Sequence, residues 1–129
     1  MASRILPIQM IMIGLLILFA AIPVRAESFA SDINVLVINS YHRGFAWSDA
    51  EEAGFLERLK QTYPSADISI EFLDTKRFPD QKNLRRMKGF LLSKYRGKTF
   101  NLVVVFDNPA IEMLARYRDE LYPETPVIL

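Results

Sequence analysis

Hydrophobic and polar positions alternate in blocks along the chain, and the period of the pattern changes from block to block. Ile33 to Asn39 (INVLVIN) is a short apolar, β-branched run, as expected of a strand buried on both faces. Ser48-Asp49-Ala50-Glu51 then reads as a capping box, in which Ser48 accepts from a backbone N–H and Glu51 reaches back. It predicts a helix to about Thr62, with Phe55, Leu59 and Tyr63 on one face, ended by Pro64-Ser65-Ala66. Asp67 to Phe72 is a second strand. Its apolar residues alternate (Ile68, Ile70, Phe72), which suits an edge position.

Pro79 is expected to open the next helix as a first-turn proline. Leu84, Met87, Leu91 and Tyr95 form its buried stripe, and Gly97 closes it. Leu102 to Phe106 (LVVVF) is the third and most apolar strand. Asn108 reads as an N-cap with Pro109 at the first helical position, and Ala110, Leu114, Tyr117 and Leu121 make a third stripe that Pro123 stops. Pro126 to Leu129 begins a fourth strand. Helices of roughly 12 to 18 residues alternating with strands imply a doubly wound parallel sheet, a three-layer α/β fold with helices on both faces. The apolar strand at Val127-Ile128-Leu129 has no helix after it to cover it. The expectation is therefore an N-terminal piece of something longer, since an open apolar sheet edge is an aggregation hazard.

The first 26 residues follow a different rule. Arg4 gives a positive start, Ile8 to Ala21 is almost unbroken apolar sequence, and Val24-Arg25-Ala26 has the small residues of a cleavage site. This predicts an export signal over residues 1–26 and a periplasmic location for residues 27–129. The alternative is an uncleaved anchor, since Ile5 to Val24 is about 20 residues, although Pro7, Gln9, Gly14 and Pro23 weaken it. Loss of Arg4 and Arg25 on cleavage changes the net charge from +1 to −1.

Composition then removes whole classes of function. The 129 residues include no Cys and a single His, which leaves no disulfide framework, thiol nucleophile, Cys-based zinc site or lipoprotein anchor. Near-neutral charge gives no footprint for nucleic acid. Lys76 to Lys98 holds nine basic residues against Asp80 alone. However, Lys82, Arg85, Arg86, Lys88 and Lys94 avoid the buried stripe and read as a solvated helix face. No P-loop, no G-x-G-x-x-G and no nucleophile elbow is present. A phosphoacceptor receiver domain also fails, because Asn39-Ser40 stands where its magnesium-binding acids belong. No metal or cofactor is expected.

In a doubly wound sheet the ligand lies outside the carboxyl ends of the strands, where the strand order reverses. That selects Asn39-Ser40-Tyr41-His42-Arg43-Gly44, Asp74-Thr75-Lys76-Arg77 and Asp107-Asn108-Pro109. The expected ligand-binding residues are Asn39, Ser40, Tyr41, Asp74, Asp107 and Asn108. Five of the six have a structural counterpart reading. Asn108 caps a helix, Asp107 pairs with Lys76 or with backbone N–H groups, Asp74 pairs with Lys76 or Arg77, and Ser40 and Tyr41 satisfy loop backbone. Trp47 is expected to pack at the start of its helix.

These same loops resemble a known group, the periplasmic binding-protein-like domains of ABC transporter substrate-binding proteins, which also serve as sensor domains of bacterial histidine kinases. The resemblance is carried by Asn39-Ser40-Tyr41-His42 with Gly44, Trp47 and Asp49, by Asp74-Thr75-Lys76-Arg77, and by Asp107-Asn108 with Ala110. It covers Ile33 to Leu129. Leu73 stands where Met is expected, and Pro109 departs from the usual residue. The resemblance implies the first lobe of a type I periplasmic-binding-protein fold, whose two lobes close on a small polar solute. It further implies a non-catalytic module working with a transporter permease or a downstream kinase, and touching the membrane only through an uncleaved signal. The alternative from the residues alone is an exported α/β enzyme fragment with His42 and Asp107 as an acid/base pair.

Overall fold

Within residues 33–129, the short runs rich in Val and Ile become the three main strands. The computed structural model describes residues 33–129, so the export signal expected over residues 1–26 lies outside the described residues. Strands β1 (Asn34–Asn39), β2 (Asp67–Phe72), β3 (Leu102–Phe106) and β4 (Val127–Ile128) alternate with helices α1 (Ala46–Thr62), α2 (Gln81–Lys94) and α3 (Asn108–Arg116). The sheet order is β2-β1-β3-β4 and every pairing is parallel. β1 runs beside β2 from Asn34↔Asp67 and beside β3 from Val35↔Leu102. The order reverses between β1 and β3, and β2 takes the edge.

The period-2 geometry of the strands divides the core in two. Leu36, Ile38, Val103 and Val105 face α2 and α3, meeting Leu84, Leu91, Ala110, Met113 and Leu114. Val35, Val37 and Val104 face the other way, onto Leu59 and Phe55 of α1 and Tyr63 just after it. The two clusters make three layers, α1 / sheet / α2 and α3. Burying each of these aliphatic side chains contributes roughly 1.5–3 kcal/mol before ordering entropy is subtracted. No described helix is long and apolar enough to cross a membrane.

All three helices start at other residues than expected, and only α3 draws on a distant partner for its first turn. α1 begins at Ala46, two residues before Ser48, so the Ser48–Glu51 capping box does not form. Asp49 instead takes the reach-back role and accepts from the Gly44 N–H at 2.9 Å, with Gly44 in a left-handed turn (φ +93°). Pro79 lies outside α2. The cap is Asp80, which accepts from the Asn83 N–H at 2.6 Å. At α3 the cap position is Asp107, leaving Asn108 and Pro109 as the first helical residues. α3 has nine residues, shorter than the expected range. It ends at Arg116, well before Pro123, and the chain continues to buried Leu121 through turns hinged on Tyr117.

Trp47 does not pack: it is 67% exposed. The inward stripe of α1 is Ser48, Glu52, Phe55 and Leu59, at helical spacing, and Trp47 sits one position off it. On α2 the basic residues Lys82, Arg85 and Arg86 are exposed. Lys88 and Lys94 reach carboxylates instead, Glu120 at 2.7 Å and Glu71 at 2.6 Å.

Candidate functional site

Parallel strands bring the loops after β1, β2 and β3 to one edge of the sheet, and a short set of hydrogen bonds ties them together. Ser40, fully buried, is the knot. Its hydroxyl donates to the Phe106 carbonyl at 2.7 Å, with the Asp107 carbonyl at 3.0 Å, and accepts from the Ala110 N–H at 2.8 Å. One side chain at the end of β1 thus satisfies the first turn of α3, which has no side-chain cap of its own. The Ser40 carbonyl accepts from the Thr75 N–H at 3.0 Å and from the Thr75 hydroxyl at 2.7 Å, which fixes the loop after β2 against β1.

Asp107 holds φ +69°, ψ 161°, a backbone region that only glycine enters without strain. A non-glycine residue there costs about 1–3 kcal/mol and persists where its surroundings hold it. Here they do, because its backbone carbonyl meets Ser40 and its carboxylate accepts from the Ser48 hydroxyl at 2.8 Å. Asp74 also has a left-handed backbone (φ +56°), and its carboxylate pairs with Arg77 at 2.8 Å.

Between these loops lies a cleft of about 370 Å³, lined by Tyr41, Thr75, Lys76, Pro79, Gln81, Leu84, Pro109 and Glu112. Tyr41 packs edge-on against Phe45, with centroids 4.8 Å apart, and the Lys76 ammonium lies 4.7 Å above the Tyr41 ring and 5.4 Å above Phe45. Desolvation raises the Tyr41 hydroxyl above its ordinary pKa, and the nearby Asp107 and Glu51 carboxylates add to the rise. On the α1 side of the same edge, Asp107 lines a second hollow with Glu51, Phe55 and Phe106.

The six expected ligand residues therefore separate. Tyr41 lines the cleft. Asn39 is buried, with its amide donating to Glu52 at 2.5 Å and its Oδ1 without a partner, while Arg43 reaches the far oxygen of Glu52 at 3.8 Å. Ser40 and Asp107 hold the loops in place, Asp74 is joined to Arg77, and Asn108 is exposed. Asp107 bonds to Ser48, not to Lys76. No hydrogen bond joins His42 to Asp107. The imidazole Nδ1 lies 2.9 Å from its neighbour's carbonyl at Arg43.

Gln81 and Glu112 line the cleft without having been expected there, and Lys76, in a loop that was selected but expected there as a pairing partner for Asp107 or Asp74, lines it too. Their signal was positional. Gln81 opens α2, and Glu112 lies one turn into α3, both on helices that follow strand ends. Among the described residues, no group of three acidic or imidazole side chains is placed to hold a metal ion. No family model matches the chain, and neither a curated protein nor a solved structure matches it.

Proposed function

We propose that the chain is an exported, non-catalytic ligand-binding module, the first lobe of a periplasmic-binding-protein-like domain that takes a small polar solute at the carboxyl edge of its sheet. The observation that carries this reading is the convergence of the β1, β2 and β3 loops on one cleft beside the strand-order reversal. The tie from Ser40 to all three loops supports it, because a binding wall must hold its shape before the ligand arrives. The backbone strain at Asp107 supports it too, since strain of that kind concentrates at functional sites.

In this reading Tyr41 touches the solute, while Asn39, Ser40, Asp74, Asp107 and Asn108 shape the wall around it. A second lobe opposite this wall would desolvate the solute. A ligand touching both lobes would then stabilise the closed state by its differential affinity, passing the event to a transporter permease or a kinase module. The α/β sheet and its order suit the type I fold, and the apolar start of the chain suits export.

The test is a screen of small polar solutes by thermal shift and by the fluorescence of Trp47, the sole tryptophan. The reading expects a solute that raises the melting temperature of the chain and of Asn101→Ala, at the opposite end of the sheet, but not of Tyr41→Ala. A solute whose effect survives Tyr41→Ala unchanged contradicts it.

A further inference from the structure

The Asp74-Thr75-Lys76-Arg77 run follows β2 and forms one wall of the cleft, and most of its polar capacity is already committed. Asp74 and Arg77 neutralise each other at 2.8 Å. The Thr75 hydroxyl is bonded to the Ser40 carbonyl. Ser40 itself has no proton left for a ligand, because its one hydrogen goes to the Phe106 and Asp107 carbonyls. Lys76 is different. Among the described residues it has no carboxylate within ion-pair distance and makes no hydrogen bond, yet its ammonium lies over the Tyr41 and Phe45 rings.

Two aromatic faces orient a cation without neutralising it. They restrict the long, flexible lysine stem, which otherwise loses much rotamer entropy on binding, and they leave its N–H donors for a partner. Glu112 lines the same cleft and forms no ion pair with Lys76. Its charge opposes a second negative charge on the ligand and offers an acceptor to a donor group.

We propose that Lys76, held over Tyr41 and Phe45, is the anchor for the anionic group of a small monocarboxylate in this cleft, an inference that rests on the ligand-binding reading above. The carboxylate accepts from the Lys76 ammonium, and Glu112 disfavours dianions.

The chain is titrated with sodium acetate, inorganic phosphate and tetramethylammonium chloride at constant ionic strength, while the backbone amide resonances are followed. Acetate is expected to shift the Tyr41, Thr75, Lys76 and Gln81 amides along a saturable curve. Phosphate should bind more weakly, and tetramethylammonium should not move these amides. Lys76→Met should weaken acetate by about tenfold or more, the loss of one charge-assisted hydrogen bond, and Lys76→Arg should retain most of the affinity. Lys76 is exposed, so unchanged melting of Lys76→Met will show that its fold is intact. An identical acetate curve in Lys76→Met, or phosphate binding tighter than acetate, overturns the proposal. Neutral solutes that shift the cleft amides equally in both proteins overturn it too, while leaving the ligand-binding reading in place. A cleft that answers to no solute at all removes both.

Discussion

At the amino end of the sheet, Lys98, Phe100, Asn101, Tyr122 and Pro126 surround a cleft of about 510 Å³, larger than the one of about 370 Å³ at the carboxyl end. Its cation and its amide are occupied, although among the described residues Thr99 and Glu124 make no side-chain hydrogen bond and the buried Tyr122 hydroxyl has no partner. Lys98 pairs with Asp67 at 2.8 Å, Asn101 accepts from the Asn34 N–H at 2.8 Å, and Arg118 donates to the Thr125 carbonyl. Tyr95 and Tyr122 stack edge-on against Phe100 from two sides. The smaller cleft keeps Lys76 uncompensated, an acid across from it and a strained backbone behind it. Volume alone favours the wrong end. What separates the two is the cation: Lys98 at the amino end is already paired with Asp67, whereas Lys76 at the carboxyl end has no ion pair among the described residues.

Substitutions at the two ends should differ in the same sense. Ser40→Ala leaves the buried Ala110 N–H without its acceptor, while the Phe106 and Asp107 carbonyls keep their backbone donors, so a loss of about 1–3 kcal/mol is expected in chemical denaturation. A loss below about 1 kcal/mol would show that the knot is dispensable. Asp107 isolates the strain. Asp107→Gly and Asp107→Ala both remove the bond from Ser48, but glycine alone relaxes at φ +69°, so the alanine protein should be less stable by about 1–2 kcal/mol. Equal stabilities would remove strain from the account.

The amino end is expected to show itself at high pH. Burial pushes the Tyr122 hydroxyl up to about 12, and Tyr95 is also raised, first by burial and then by its bond to Glu71. Lys94 is raised chiefly by its hydrogen bond to Glu71. In each case the folded value lies above the unfolded one, near 10 for tyrosine and slightly higher for lysine. The stabilisation is therefore complete below about pH 10 and is lost as pH climbs through the folded values toward 12. Denaturation followed across that window should show falling stability, with a shallower slope in Tyr122→Phe. At neutral pH the smallest effect is expected. The buried Tyr122 hydroxyl has no partner, so Tyr122→Phe should stay within about 0.5 kcal/mol of the parent.

How much of this was legible in the sequence follows from where each signal resides. β2 and β3 match their expected bounds because strand burial is written in local apolar runs, and the stripe Leu84, Met87, Leu91, Tyr95 needs only a helical period. The starts of α1 and α3 were misplaced where Ser48 and Ser40 serve distant partners, whereas α2 was misplaced beside a local cap, Asp80. No local pattern says that Ser40 will satisfy α3 from the end of β1, or that Ser48 will turn to Asp107. Trp47 misled for a related reason. The inner stripe of α1 near the site is polar, Ser48 and Glu52, because it meets Asp107 and Asn39 rather than core. The three loops of the site could be located from topology alone. Which side chains among them remain uncommitted is a matter of pairing, and pairing appears only in three dimensions.

The absence of cysteine allows the central claim to be tested at a single atom. Gln81→Cys places one thiol in the carboxyl-end cleft, and Thr99→Cys places one in the amino-end cleft, both at exposed positions. The rate of modification by a small thiol reagent is measured for each with and without a saturating solute from the screen. The account predicts slowed modification at position 81 and an unchanged rate at position 99. Protection at position 99, with position 81 still reactive, would contradict it.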